Sequence, residues 1–564
     1  LLAEVQATPP PPASSYHSTR LPLDPLHTRI LQAQARTWRS LGLPEVVVWK
    51  AHRFDQIPLI HLPEPSSQPS LFLRPLNGGR ASDAFFISNA GDQPQTVIIT
   101  PKGFSASGLP AWATLYLAAW ADTKAGIPVA NALEVLPNRN GSYEFTLPSG
   151  MTGRIWLSVN QNTPEGRHTG TLEIKTASVE TAVPVTIEVA NVAAPSEPLN
   201  IVLWDYIDGN NIYKNVGKNR DALIRTVRER FHYLPWATRM VLPPVSARDF
   251  DEENRLVTKP DFSVFDRWVD EIYPGETRYG IFLNGTPEFA GKRMGQPGYR
   301  ERITAWLSAF RQHLESKGLA PSQFVLAPVD ESQTDATDLL TIEWRNAIKA
   351  AAEEFRVFVN PVWLRPDQIR HQRSITTADI VCPRAGMVEK AGDPVWRYYE
   401  DRRLEGKEFW LFSCYGPTRP ADPSRYYRKL AWLAWAKRAN GIGFWSLIDL
   451  GGVPSSWDEY HCARSSFSPV YLAPDQVTPA LQLEAIAEGV SDYGLLLQLR
   501  RLAENNRDAA ALCREIETEL GTVDLVVPKS VLSQLTDGWH SADARKLDAW
   551  RNRALDLLEA AAVP

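Results

Sequence analysis

Between residues 199 and 452 the chain repeats one pattern eight times: a short apolar run, a loop, then a stretch with helical spacing. The apolar runs are LNIVLWDYID (199–208), TRMVLPP (238–244), RYGIFLNG (278–285), SQFVLAPVDE (322–331), RVFVNPV (356–362), ADIVCPRAG (378–386), KEFWLFSCYGP (407–417) and ANGIGFWSLIDLGG (439–452). Helical patterns fall between most of them, among them NRDALIRTVRERFHYL (219–234), SVFDRWVDEIY (263–273), residues 298–318, ATDLLTIEWRNAIKAAAEE (336–354) and SRYYRKLAWLAWAKR (424–438). Apolar runs this short, alternating with helices, are parallel strands covered on both faces. Eight such units in about 250 residues match a (β/α)8 TIM barrel. An open doubly wound sheet is the alternative, but no Gly-rich phosphate fingerprint follows the first strand.

The flanks have a different texture. ATPPPPASS (7–15) reads as a polyproline-like linker, and residues 24–42 carry helical spacing that ends at a Gly. From about residue 70 to 192, runs such as DAFFISNA, QTVIITPK, GSYEFTLPSG, GRIWLSVN, HTGTLEIKT and AVPVTIEVA alternate with Gly, Pro, Asn and Asp. That spacing predicts an all-β sandwich. PALQLEAIAEGVSDYGLLLQLRRLAE (479–504) and DARKLDAWRNRALDLLEAA (543–561) predict helices. The expected organisation is a tail over 1–22, a β-sandwich with a leading helix over 23–195, a barrel over 196–474 and a helical region over 475–564.

Composition narrows the function classes. The 564 residues suffice for several domains, and 22% charged with 44% hydrophobic residues is ordinary for a globular chain. A net charge of -5 and a pI near 6.1 argue against a nucleic-acid partner. The absence of a run of about 18 apolar residues argues against membrane insertion. The four cysteines (Cys382, Cys414, Cys462 and Cys513) form no CxxC pair, so a zinc site is not expected; no ligand cluster in the sequence points to another metal, and no cofactor is expected. The chain opens Leu-Leu-Ala, which fits a removed signal peptide and a secreted or periplasmic location; a trimmed start and a cytoplasmic location are the alternatives. Oligomeric state is not legible. The 19 Trp and 17 Tyr suit a protein that stacks sugar rings, or one with an aromatic core.

The chemistry centres on Asp330 and Glu331, adjacent acids at the end of the fourth run. In a TIM barrel the strand C-termini form the active face. The competing reading is a helix N-cap, a position that favours Asp. Other strand ends supply Trp204, Tyr206, Asn284, Asn360, Trp363, Arg384, Tyr415, Trp445 and Asp449, the aromatic faces, amides and cation that hold a sugar. Glycoside hydrolysis generally needs two flanking carboxyl groups. The end of the seventh run, FSCYGPTRP, carries none, and Glu408 opens that run at the opposite face. Adjacent acids on one strand suit substrate-assisted hydrolysis instead, in which a 2-acetamido oxygen of the sugar attacks its own anomeric carbon.

With Asp-Glu after the fourth strand, YGP after the seventh, GFWS on the eighth and LEAIAEGVSDYGLLL (483–497) beyond, the chain resembles glycoside hydrolase family 123 over roughly residues 70–505. The last motif resembles a helical domain that often follows such barrels. It departs from the pattern at Gln482 and Ala487, where Arg is usual, and at Gly494, where an acid is usual. The resemblance implies an exo-acting β-N-acetylgalactosaminidase, with Glu331 as general acid and then base, and Asp330 holding the acetamido group. It also places Trp445 and Tyr415 around the sugar. The alternatives are a glycosidase for a non-acetylated sugar with Asp449 or Asp205 as second carboxylate, and a carbohydrate-binding barrel without catalysis. In each case a glycan is the expected partner.

Overall fold

The computed structural model describes residues 1–9, 21–65, 69–104, 108–194, 199–205, 216–237, 241–414, 419–449, 455–462, 466–473, 475–521 and 541–562. It is multidomain, and a parallel eight-stranded ring forms its centre. The strands are β1 (Asn200–Leu203), β2 (Trp236–Ala237), β3 (Tyr279–Phe282), β4 (Phe324–Ala327), β5 (Arg356–Val359), β6 (Ile380–Val381), β7 (Glu408–Ser413) and β8 (Gly441–Phe444). From β2 to β8 each strand pairs in parallel with the next, and β8 returns to β1 through Val202 opposite Gly443. One bridge, Val202 to Leu234, all but closes the ring between β1 and β2.

The interior is filled by side chains. Val202, Trp204, Trp236, Val325, Phe358, Ile380, Trp410 and Phe412 form one buried cluster. Two strand glycines make room for its largest members. A Cβ on Gly280 would lie 2.0 Å from the Trp236 ring, and one on Gly441 would lie 2.4 Å from the Trp410 ring. The tryptophan surplus is therefore partly spent on packing the barrel.

The second strand differs from the sequence reading, which put it in TRMVLPP and ran the preceding helix to residue 234. The helix spans Val216–Arg228, and the strand is Trp236–Ala237. Pro235 accounts for the shift, because a proline pushes its predecessor out of helical conformation. Leu234 accordingly bonds to the Ile201 carbonyl (2.6 Å). Residues 238–240 lie outside the described residues, and Val241–Pro244 form no strand.

Residues 46–193 fold into two largely antiparallel sheets of five and seven strands. Their apolar sides share one core: a Cβ on Gly153 of the first sheet would sit 3.4 Å from Leu147 of the second. Two strands, Ala113–Ala121 and Val129–Val135, were not evident in the sequence; their alanines carry little β preference. The leading helix is Pro25–Ser40, whose N-cap Asp24 accepts from the His27 backbone N–H (2.7 Å).

After a hairpin (Val470–Ala473 with Gln476–Pro479), the chain ends in helices Leu481–Ala503, Arg507–Gly521 and Ala542–Ala562. The first packs backbone to backbone on the barrel: a Cβ on Gly489 would lie 2.8 Å from the Arg428 carbonyl oxygen. Its acids Glu484, Glu488 and Asp492 recur every four residues, so they share one face. They meet Arg230 (2.7 Å), Arg53 (2.6 Å) and Arg428 (2.7 Å). Arg230 and Arg428 belong to the barrel and Arg53 to the N-terminal region, so this face ties three regions together.

Candidate active site

β3 and β4 are locked together where they end. Leu283 N–H donates to the Ala327 carbonyl (2.9 Å), and Gly285 N–H to the Pro328 carbonyl (2.8 Å). Beyond this clamp the chain turns. Glu331 takes φ +43°, a left-handed conformation that costs a non-glycine residue about 1 kcal/mol or more. The following helix, Asp335–Ala351, is capped by Thr334, whose hydroxyl accepts from Thr337 N–H (3.2 Å). Asp330 is therefore not the helix cap, and both acids are left for the mouth of the barrel.

Asn360, buried just past β5, fixes the pair. Its Nδ2 donates to Asp330 Oδ1 (2.7 Å), and its Oδ1 accepts from Glu331 N–H (3.3 Å). Glu331 is half-buried and Asp330 reaches solvent, yet both carboxyls are pushed above their ordinary range. For Asp330 the largest cause is enclosure by the surrounding rim, opposed by the Asn360 amide and the Glu331 backbone. For Glu331 it is again loss of water, then the charge of Asp330, opposed by Arg384 and the Cys414 thiol. Arg384, after β6, donates from Nη1 to Cys414 Sγ (3.3 Å), just beyond β7. Desolvation pushes that thiol up to about 11.

A second group lies beside the first. Trp204 is buried among Trp236, Phe412 and Trp445, with ring centroids 5.7, 5.9 and 6.3 Å away. Trp445 is half-buried and donates from Nε1 to Asp449 Oδ2 (3.0 Å), and Asp449 is itself 1% exposed. Asp205 is fully buried, and its Oδ2 accepts from Trp236 N–H (3.2 Å) and the Tyr273 hydroxyl (2.6 Å).

The structure thus joins Asp330, Glu331 and Asn360 in one set, with the Arg384 charge acting on Glu331, and Trp204, Trp445 and Asp449 in another. Asn284 stands exposed at the end of β3 with φ +55°. Trp363 donates its indole N–H to Asp338 on the helix after β4 (3.4 Å). Tyr206 and Tyr415 lie outside the described residues. Cys414 was not singled out from the sequence, although it sits next to Tyr415 at the end of β7. Glu408 occupies the opposite face, where Arg278 (3.1 Å) and Arg356 (2.6 Å) hold its carboxyl below the usual range. Among the described residues, no group of three or more His, Cys, Asp or Glu is placed to hold a metal ion, and no helix is long and apolar enough to cross a membrane.

No family model and no curated protein matches the chain. Solved structures do. A family 123 glycoside hydrolase from Clostridium perfringens, studied for glycolipid glycan hydrolysis, aligns over 92% of this chain and 100% of its own with a TM-score of 0.66 at 12% identity. The resemblance to family 123 seen in the motifs therefore holds at the level of the fold. A family 2 β-galacturonidase from Eisenbergiella tayi aligns over 80% of this chain and 72% of its own, at 10% identity and a TM-score of 0.30. A β-D-glucuronidase from Dictyoglomus thermophilum covers 79% and 69%, also at 10% and 0.30. These two scores are too low to argue from.

Proposed function

We propose that the chain is an exo-acting glycoside hydrolase that releases a terminal β-linked N-acetylhexosamine, N-acetylgalactosamine foremost, by substrate-assisted retaining hydrolysis. The observation that carries this reading is the Asp330–Glu331 pair: two adjacent carboxyls at the end of β4, held by Asn360, both with raised proton affinity. The fold shared with a family 123 enzyme supports it.

The other acids of this face support the substrate-assisted form. Asp205 is fully buried and already accepts two hydrogen bonds, and Asp449 is buried against the Trp445 N–H. Neither is disposed as the second carboxylate of a two-acid mechanism. In the proposed reaction the acetamido oxygen attacks the anomeric carbon while Glu331 gives its proton to the departing oxygen. The bond to the aglycone breaks, and a bicyclic oxazolinium ion forms. Asp330 accepts the acetamido N–H and balances the positive charge. Glu331, now a carboxylate, takes a proton from water as that water opens the ring, which regenerates the β-anomer and the acid. Glu331 must begin protonated near neutral pH, and the raised proton affinity serves that need. Arg384, Trp445 and Tyr415 are assigned to the sugar pocket.

The test is release of nitrophenol from the β-N-acetylgalactosaminide, the β-N-acetylglucosaminide and the β-galactoside. Cleavage confined to acetamido sugars, with inhibition by a thiazoline mimic of the oxazolinium ion, is expected. Cleavage of the plain galactoside with a trapped covalent glycosyl adduct would overturn the substrate-assisted form. Sugar binding without turnover would overturn the enzyme.

A further inference from the structure

A cavity of about 70 Å³ lies where the N-terminal region meets the C-terminal helices, and none of the candidate active-site residues lines it. That is room for more than one water molecule. Its carboxylates are already engaged. Both Glu488 oxygens meet Arg53 (3.0 and 2.6 Å), and both Asp548 oxygens do so too (2.9 and 2.5 Å). Asp492 is shared by Arg428 (2.7 Å), Trp432 (2.9 Å) and Arg551 (3.1 Å). The capacity left over is on the donor side. Arg551 turns Nε to Asp492 and Nη1 to the Arg74 carbonyl (2.9 Å), which leaves Nη2. Arg80 reaches the Glu229 carbonyl (3.3 Å) and Ser158 (3.4 Å) through its two Nη atoms, which leaves Nε. The Ser491 hydroxyl and the Asn552 amide line the cavity beside them. None of these four groups has a hydrogen-bond partner among the described residues, and none is sealed inside protein.

The charges follow the same pattern. Arg53 and Arg428 each lie against two or more carboxylates, which hold them above the ordinary guanidinium value. Arg551 shares Asp492 with Arg428 and is pushed below it. Loss of water is the largest cause; Asp492 opposes the shift and the Arg428 charge adds to it. A buried cation whose counter-charge is shared is destabilising, and an anion beside it would relieve that. Four donor groups carried by two helices and the start of a strand match the four oxygens of a tetrahedral oxyanion.

We infer that this cavity binds one small tetrahedral oxyanion, phosphate or sulfate, through Arg551, Arg80, Ser491 and Asn552, and that the anion ties the last helix to the N-terminal sheets. The inference does not depend on the reaction proposed for the barrel.

The test is calorimetric titration of the full chain with inorganic phosphate, inorganic sulfate and acetate at constant ionic strength, paired with thermal melts. Phosphate and sulfate are each expected to bind once per chain and to raise the melting temperature as their concentration passes Kd. Acetate should do neither. Arg80→Gln should weaken binding by about tenfold, the order of one hydrogen bond to a charged group. Asn552 has no hydrogen-bond partner to lose, so Asn552→Asp should fold. It puts a carboxylate into the cavity and is expected to abolish binding without lowering the melting temperature of the anion-free protein. Binding that survives in Asn552→Asp, stabilisation by sulfate that is equal in wild type and both variants, or acetate binding as tightly as phosphate overturns the site.

Discussion

At the mouth of the barrel, Asp330 and Glu331 stand side by side and both carboxyls are pushed up. At the seam between the N-terminal region, the barrel and the C-terminal helices, Glu488 and Asp548 are also close together, and both are pushed down. The difference is the company each pair keeps. Arg53 reaches Glu488 (2.6 Å) and Asp548 (2.5 Å), and Arg428, fully buried, reaches Asp492 (2.7 Å) and Asp548 (2.5 Å). Arg551 adds a contact to Asp492 (3.1 Å) and His52 one to Asp548 (2.9 Å). Glu488, Asp492 and Asp548 each have a guanidinium against them. At the mouth an amide holds the pair, and Arg384 acts on Glu331 through its charge. Matched charges build a joint; unmatched ones are kept ready to exchange a proton.

The largest effect that would break this contrast is on turnover. Glu331→Gln is expected to lower kcat by about 10²–10⁴-fold on substrates with poor leaving groups, with a melting temperature no lower than wild type, because the change removes an unmatched charge. Activity assays and thermal melts on the same preparations check both halves. Asp330→Asn should cost less on the best leaving groups and should reduce the preference for acetamido sugars over the plain galactoside. Arg428→Met exchanges the roles: it leaves Asp492 and Asp548 underpaired and is expected to cost about 3–5 kcal/mol of stability, read by denaturant unfolding, while the pH profile of any residual activity keeps its shape. Asn360→Ala should lower kcat by roughly tenfold, the order of one hydrogen bond to a charged group, and move the acid limb of the pH profile up, because the Asn360 amide holds Asp330 down.

The smallest effect is on the pH dependence of stability, and its sign differs between the regions. Glu488 and Asp548 have depressed values, so their contribution is present above the ordinary carboxylate range and is lost as pH falls through it. Asp330 and Glu331 have raised values, so acidification first relieves them. The wild-type melting temperature should hold or rise slightly from pH 7 to about 5, then fall below about 4 as the seam acids take protons. The double variant Asp330→Asn with Glu331→Gln should lose the rise and keep the fall.

The sequence carried the barrel because its signal repeats: eight apolar runs, each followed by a loop, admit few arrangements. The boundary at β2 was lost because the strand is two residues long and hides behind Pro235. The Ala-rich strands 113–121 and 129–135 carry few of the β-branched residues that announce a strand, only Thr114, Val129 and Val135. The acid pair was legible because two carboxyls end a buried run. Its setting was not. That Thr334 rather than Asp330 caps the next helix, that Asn360 bridges both acids, and that Arg384 reaches Cys414 all depend on how the chain packs in space. LEAIAEGVSDYGLLL served as a marker of resemblance; its acids turn out to be the seam, a role the motif alone does not disclose.

The central claim is that Glu331 delivers the proton to the leaving group. The most direct measurement compares wild type with Glu331→Gln on aryl β-N-acetylgalactosaminides of rising leaving-group pKa, from dinitrophenyl to phenyl. The wild-type rate should change little along the series, and the variant's should fall steeply, so that the gap widens toward the phenyl glycoside. A variant that cleaves the phenyl glycoside at the wild-type rate would contradict the account.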